Sequence, residues 1–158
     1  MSERVPMTQR GYDKLKVQLH QLKTVDRPQN VREIEDARSH GDISENAEYH
    51  AAKERQSLLA RQISIVEDKL ARAQVIEPLT EAPDQIRFGA TVVLEDSDSG
   101  ETTRYQIVGE DESDAAQGLI SVTSPIARAL LGKEVGDSVQ VRVPKGTREF
   151  DILEILAG

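Results

Sequence analysis

Cysteine is absent from this sequence, aromatic residues make up only 3% of it, and no long apolar run occurs. Without cysteine there is no disulfide framework and no Cys-ligated metal, which fits a reducing cytoplasm. The aromatics are Tyr12, Tyr49, Tyr105, Phe88 and Phe150. A single large globular core normally draws on more aromatic bulk, so a thin or elongated body is expected. No stretch approaches the roughly 20 apolar residues that span a bilayer. The N-terminal Met1-Ser2-Glu3-Arg4-Val5-Pro6-Met7 also lacks the apolar centre of a signal peptide. No membrane contact and a cytoplasmic location are therefore expected.

Basic charge is short as well. The net charge is −8. Residues 1–80 hold 13 Lys and Arg against 13 Asp and Glu, whereas residues 81–158 hold 7 against 15. The whole imbalance lies in the second half. Bulk electrostatics of this sign do not attract duplex DNA, whose phosphates need basic surface. A partner with a basic or mixed surface fits better. A chain of 158 residues has room for one ordinary domain or two small ones.

Helical periodicity fills the first half. Thr8 precedes Tyr12, Leu15, Leu19, Leu22 and Val25, whose spacings of 3 and 4 put them on one helical face. The stripe falters at Asp26-Arg27-Pro28 and restarts at Val31, Ile34 and Ala37. Proline removes a helix donor and disfavours helix in the preceding residue, so a break or kink is expected, with Pro28 opening the next stretch. Ser39-His40-Gly41-Asp42 reads as a turn, with Gly41 suited to a left-handed helix end. A second helix then follows Tyr49, Ala52, Gln56, Leu59, Ile63, Val66, Leu70 and Ala73, a heptad seam in which only Gln56 is polar. The two helical regions, about 9–38 and 43–74, are joined by a short turn and so pair antiparallel. Such a hairpin satisfies its own seam, which favours a monomer over an intermolecular coiled coil.

From Phe88 the period shortens to 2. Strands are expected at Thr91–Leu94, Thr103–Val108, Leu119–Val122, Ser138–Val143 and Phe150–Leu156. A hairpin turn is expected at Asp96–Gly100. Ser124-Pro125 opens a short helix, as N-cap and first helical residue. The expected fold is α+β, a coiled-coil hairpin over 1–78 followed by a small antiparallel sheet with one packed helix over 79–158.

The segment Gly41-Asp42-Ile43-Ser44-Glu45-Asn46-Ala47-Glu48-Tyr49 is the strongest candidate for chemistry. Asp42 and Glu45 have the spacing of a capping box, and acids suit the first turn of a helix. Spacing alone favours that reading. The alternative is that both carboxylates converge outward on one hard cation. Mg²⁺ takes oxygen ligands and often only one or two carboxylates from a protein. Two acids cannot enclose it, so another molecule would have to complete the site. His40 lies close by, but zinc would need a further nearby nitrogen or sulfur ligand.

Residues 37–53, Ala37-Arg38-Ser39-His40-Gly41-Asp42 through Lys53, resemble the Gre transcript-cleavage factors of bacterial RNA polymerase. So do Ser121–Glu134, Gly89-Ala90-Thr91-Val92 and Tyr105-Gln106-Ile107-Val108-Gly109. The similarity runs from Met7 to Leu156 and is closest to the GreA-like class. It implies a hairpin that enters the polymerase secondary channel and an FKBP-like second domain. By resemblance, Asp42 and Glu45 are the catalytic acids, sharing a Mg²⁺ that the polymerase supplies and the factor does not bind stably. Cleavage of backtracked RNA is then the polymerase's own reaction, and the factor is an accessory. Arg38 and Lys53 match positions that guide the nascent RNA 3′ end, and Arg55 and Arg61 could extend that patch. Ser121, Ser124 and Pro125 match the edge that grips a coiled coil at the channel rim. Tyr49 is read first as a seam residue, and Ser44 is given no role beyond capping. With only Phe88, Tyr105 and Phe150 for an aromatic pocket, no isomerase role is expected. A channel-occupying regulator without cleavage is the alternative, and a generic coiled-coil adaptor leaves the Ser121–Glu134 match unexplained.

Overall fold

A computed structural model describes residues 3–41 and 45–158. The chain divides into two compact units, one built on Tyr12–Ala73 and the other on Arg4–Gly11 and Gln74–Gly158.

The first unit is the hairpin. Helix α1 (Gln9–Gln21), a π-helical turn (Leu22–Asp26) and α2 (Arg27–Arg38) form one arm, and α3 (Ala47–Arg72) forms the other. Leu15, Leu19 and Leu22 pack on Leu59, Ile63, Val66 and Leu70. Burying each such side chain contributes about 1.5–3 kcal/mol. Pro28 sits in the first turn of α2, as its missing donor predicts. The break is a π turn rather than an interruption. Arg27 N–H bonds to the Leu22 carbonyl, five residues back. A bond of that reach lets the helix pass Pro28, whose ring would clash with the carbonyl four residues before it.

The π turn also moves the seam by one residue. An uninterrupted heptad passes through Asp26 and Gln29, whereas here the buried position is Asn30, only 1% exposed. Val25 and Val31, both expected on the apolar stripe, are each 45% exposed. Ile34 is half-buried and Ala37 buried. Asn30 Nδ2 donates to the Ala52 carbonyl at 2.9 Å, so the polar seam residue is satisfied across the arms. Gln56 is exposed, and it accepts a bond from Lys53 Nζ at 2.7 Å. The α2 half of the seam is therefore held by polar contacts. Arg55 Nη1 meets Glu33 Oε1 at 2.6 Å, and nearer the π turn Lys23 meets Glu67 at 2.9 Å.

The second unit carries a five-stranded sheet in the order β5-β4-β3-β7-β6. Its strands are β3 (Thr91–Asp96), β4 (Thr102–Val108), β5 (Leu119–Ser121), β6 (Ser138–Val143) and β7 (Gly146–Leu156). All five lie where the alternating pattern predicts strands. The β4–β5 pair is parallel, Gln106 opposite Leu119, while the other neighbours are antiparallel. Alternation reports which side chains face the core but not strand direction, so this departure from a purely antiparallel sheet was not readable. Helix α4 (Pro125–Leu130) brings Ala127 and Leu130 to a core with Val92, Leu94, Ile107 and Ile152.

A second, two-stranded sheet was not expected. It pairs β1 (Val5–Thr8) with β2 (Ala73–Ile76). Ala73, read as the last seam residue, instead begins a strand. Thr8 Oγ1 accepts from Gly11 N–H at 3.1 Å, as a helix cap does. Glu112 receives both the Thr8 hydroxyl and the Thr8 N–H, and also the Gly109 N–H at 2.9 Å. A Cβ on Gly11 would run into the Glu112 carboxyl, so a side chain there would displace it from these bonds.

Candidate functional site

The connection between α2 and α3 is set by three features. Gly41 takes φ of +115°, a positive value that favours glycine. The last turn of α2 closes with the Ser39 and His40 N–H groups bonded back to Asp36 and Ala37 carbonyls at 3.2 Å. Asn46 then caps α3. Its Oδ1 accepts from Tyr49 N–H at 3.0 Å, while its Nδ2 donates to the Ala37 carbonyl at 2.6 Å. One side chain both starts α3 and ties it to the end of α2. Sequence reading gave this role to Asp42 and Glu45 and missed Asn46. Its signal was present: Asn is among the preferred caps, and it directly precedes Ala47-Glu48.

Of the two candidate acids, Glu45 lies just ahead of the cap, with an exposed side chain. Asp42, and with it Ser44, lies outside the described residues. Carboxylate oxygens are the hard donors that Mg²⁺ takes. Among the described residues no group of three or more His, Cys, Asp or Glu side chains could hold a metal. Glu45 therefore offers at most one part of an ion's shell. His40 Nδ1 lies 3.3 Å from Glu48 Oε2, which occupies it with a neighbour in the chain.

Arg38 and Lys53 are both exposed. Arg38 directly follows the seam residue Ala37, and Lys53 directly follows the seam residue Ala52. At about 100° per residue both are turned the same way from the seam. In an antiparallel pair that brings them to one flank, and the Glu33–Arg55 ion pair occupies the other. Tyr49, half-buried and three residues before Ala52, lies on the Arg38–Lys53 flank, its ring edge-on to His50 at 5.8 Å. Arg55 falls on the opposite flank and is already paired, so it does not extend this group.

In the second unit Ser124 Oγ accepts from Ala127 N–H at 3.2 Å and Pro125 is the first helical residue, as the sequence predicts. Ser121 Oγ bonds the Thr123 hydroxyl at 2.7 Å and accepts the Thr123 N–H at 3.1 Å. Ser121, Ser124 and Pro125 thus form one rigid corner between β5 and α4. An acid with a lowered pKa lies elsewhere, in the β3–β4 turn. Asp96 is held below its ordinary value by the Arg148 guanidinium, at 2.5 and 3.1 Å, and then by the Asp98 and Ser99 N–H groups. Arg148 also lies over the Phe150 ring at 5.1 Å, so the group braces the sheet.

The fold and the site define a two-unit protein, a coiled-coil hairpin and a small α+β unit, with candidate residues at the hairpin turn and at a sheet corner. A family model for the transcription elongation factor N-terminal domain matches residues 5–75, and one for the GreA/GreB C-terminal domain matches residues 81–157. The chain belongs to the GreA/GreB family of transcription elongation factors. It is an elongation factor and not an enzyme in its own right. Transcription elongation factor GreA of Phenylobacterium zucineum is 56% identical over 153 residues, covering 97% of this chain and 98% of that protein. Transcription elongation factor GreA of Alkalilimnicola ehrlichii is also 56% identical, covering 96% and 97%. The crystal structure of GreA factor homolog 1 from Thermus thermophilus is 30% identical, covers 97% of this chain and 99% of that one, and has a TM-score of 0.44. Among the described residues no helix is long and apolar enough to cross a membrane.

Proposed function

We propose that this elongation factor acts on bacterial RNA polymerase in the cytoplasm as a monomer, inserting the α2–α3 hairpin turn into the secondary channel and stimulating the polymerase's cleavage of backtracked RNA. The observation that carries this is the turn itself. Asn46 fixes the start of α3 to the end of α2, and the exposed Glu45 carboxylate stands immediately before that anchor.

Asp42 and Glu45 are the residues that would hold a Mg²⁺ jointly with the polymerase. Bound there, the ion would lower the pKa of an attacking water and stabilise the departing oxygen. Glu45 contributes a negatively charged oxygen, and Asn46 fixes the position of the backbone from which it projects. Arg38 and Lys53 attract RNA phosphates, and Tyr49 between them offers a ring face to a base. Ser121, Ser124 and Pro125 present the corner that grips the coiled coil at the channel rim.

The test is a stalled, backtracked elongation complex carrying labelled RNA. Asp42→Ala and Glu45→Ala are each expected to abolish stimulated cleavage while polymerase binding stays within about twofold, since the docking corner is untouched. Full cleavage by either variant would remove that residue from the reaction. Cleavage of naked RNA by the factor alone would overturn the accessory role.

A further inference from the structure

One cluster lies outside the features used so far. Lys23, Arg27, Pro28, Val31 and Arg32 line an open depression where the π turn passes into α2. Pro28 and Val31 give it an aliphatic floor, with Val31 45% exposed. Three cations surround that floor. Lys23 is engaged with Glu67 at 2.9 Å. Arg27 and Arg32 are exposed and form no ion pair among the described residues. The chain as a whole carries −8, so basic surface is scarce on it. Here two guanidinium groups without an ion pair among the described residues lie beside exposed aliphatic surface.

The depression begins on the flank of the arm that carries Arg38 and wraps to its outer side. Asn30 faces α3. Pro28 and Arg32 each lie two residues from it, about 200° around the helix, and so point away from α3. Arg27 and Val31, about 60° and 100° from Asn30, lie on the same flank as Arg38, and Lys23 reaches Glu67 of α3, so the depression spans that flank and the outer side. No aromatic side chain lines it, so it lacks the stacking platform on which single-stranded nucleic acid relies. A π turn of this kind is a recurrent mark of functional positions in helices.

We infer that this depression docks an acidic protein segment, one carrying carboxylates for Arg27 and Arg32 and an aliphatic side chain for the Pro28–Val31 floor. Resting on the reading given under Proposed function, the segment belongs to the polymerase wall that surrounds the inserted arm. Guanidinium groups suit this task because their planar donor fork meets a carboxylate with two bonds.

The absence of native cysteine permits a clean test. The full chain carrying Val31→Cys, labelled there with a benzophenone, is added to a purified polymerase elongation complex and irradiated. The expected product is a crosslink to a polymerase peptide containing Asp or Glu within a few residues of the attachment point. A crosslink to RNA, to a second copy of the chain, to a peptide without carboxylates, or to nothing overturns the assignment. In parallel, Arg27→Glu with Arg32→Glu is expected to weaken polymerase binding about tenfold and to flatten its salt dependence. Arg27→Gln with Arg32→Gln replaces it if the reversed charges unfold the arm. An unchanged Kd in the folded variant also overturns the assignment. If the unaltered chain does not bind polymerase, both readings fall. If it binds and stimulates cleavage but Val31 crosslinks to RNA, only this one does.

Discussion

The two units are held together differently. The sheet unit buries thirteen residues in one apolar cluster, several of them wholly inaccessible, among them Ala90, Val92, Leu94 and Leu130. Among the described residues the hairpin buries four in its own cluster, all between the π turn and the α1 end of the pair, and relies on Asn30, Asn46 and Glu33–Arg55 nearer its turn. Apolar burial is non-directional and strong, whereas the net gain from a hydrogen bond is about 1 kcal/mol. What the polar contacts add is register. A donor on Asn30 meets one carbonyl only, and a slip of the arms would leave it unpaired in a buried position. The comparison teaches that the sheet unit is built for stability and the turn end of the hairpin for placement.

Core truncation should open the widest gap. Leu130→Ala, at a fully buried position, is expected to destabilise the sheet unit by about 3–5 kcal/mol, and Leu59→Ala the hairpin by about 2–3 kcal/mol. Hydrogen exchange reads the two units separately, and an equal or larger loss in the hairpin would break the contrast. Asn46→Ala removes both a cap and an inter-arm bond, and should cost the first turn of α3 about 1–2 kcal/mol, visible as faster exchange of the Tyr49 amide. Asn30→Leu sharpens the distinction between stability and placement. Stability should change by less than about 1 kcal/mol, because both losing and gaining terms are small, while pairing becomes less specific. A cysteine pair engineered across the arms would then also crosslink in a register shifted by one heptad. If the single native register persists, Asn30 does not specify it.

The smallest effect concerns pH. Asp96 has a folded-state pKa below its ordinary 3.8. The ion pair with Arg148 thus contributes stability above that value, lost as pH falls below 3.8 through the depressed folded value. Compared with the unaltered chain, Asp96→Asn should be less stable in urea at about pH 6, with the difference closing below about pH 4. A gap that persists unchanged in acid would show that Asp96 acts by its shape and not by its charge.

Much of this architecture was readable in advance because periodicity is a local property. The 3-4 spacing of Leu59, Ile63 and Val66 and the alternation in Ser138–Val143 each require only neighbours in sequence. Ser124-Pro125 was legible for the same reason, since cap and helix lie within four residues. Asn30 was not. Its burial depends on the extra residue that the π turn inserts, and Val31, the more hydrophobic neighbour, took its place in the sequence reading. The β1–β2 pair was missed because each strand is four residues long and its partner lies some 65 residues away. Of the candidate site, the segment 41–49 was found from sequence, yet the cap within it was assigned to the wrong side chain. Asp42 lies outside the described residues.

The sequence by itself determined the helices, the five strands, the charge asymmetry and the residues that carry the family resemblance. All of these follow from side-chain type and short-range spacing. Only the tertiary structure decided which flank each cation occupies, that Asn46 joins two helices, and that a depression forms at Pro28. Those features depend on how one helix is rotated against another. That rotation is set by the sum of many weak contacts across the hairpin, and by a single residue added in the π turn.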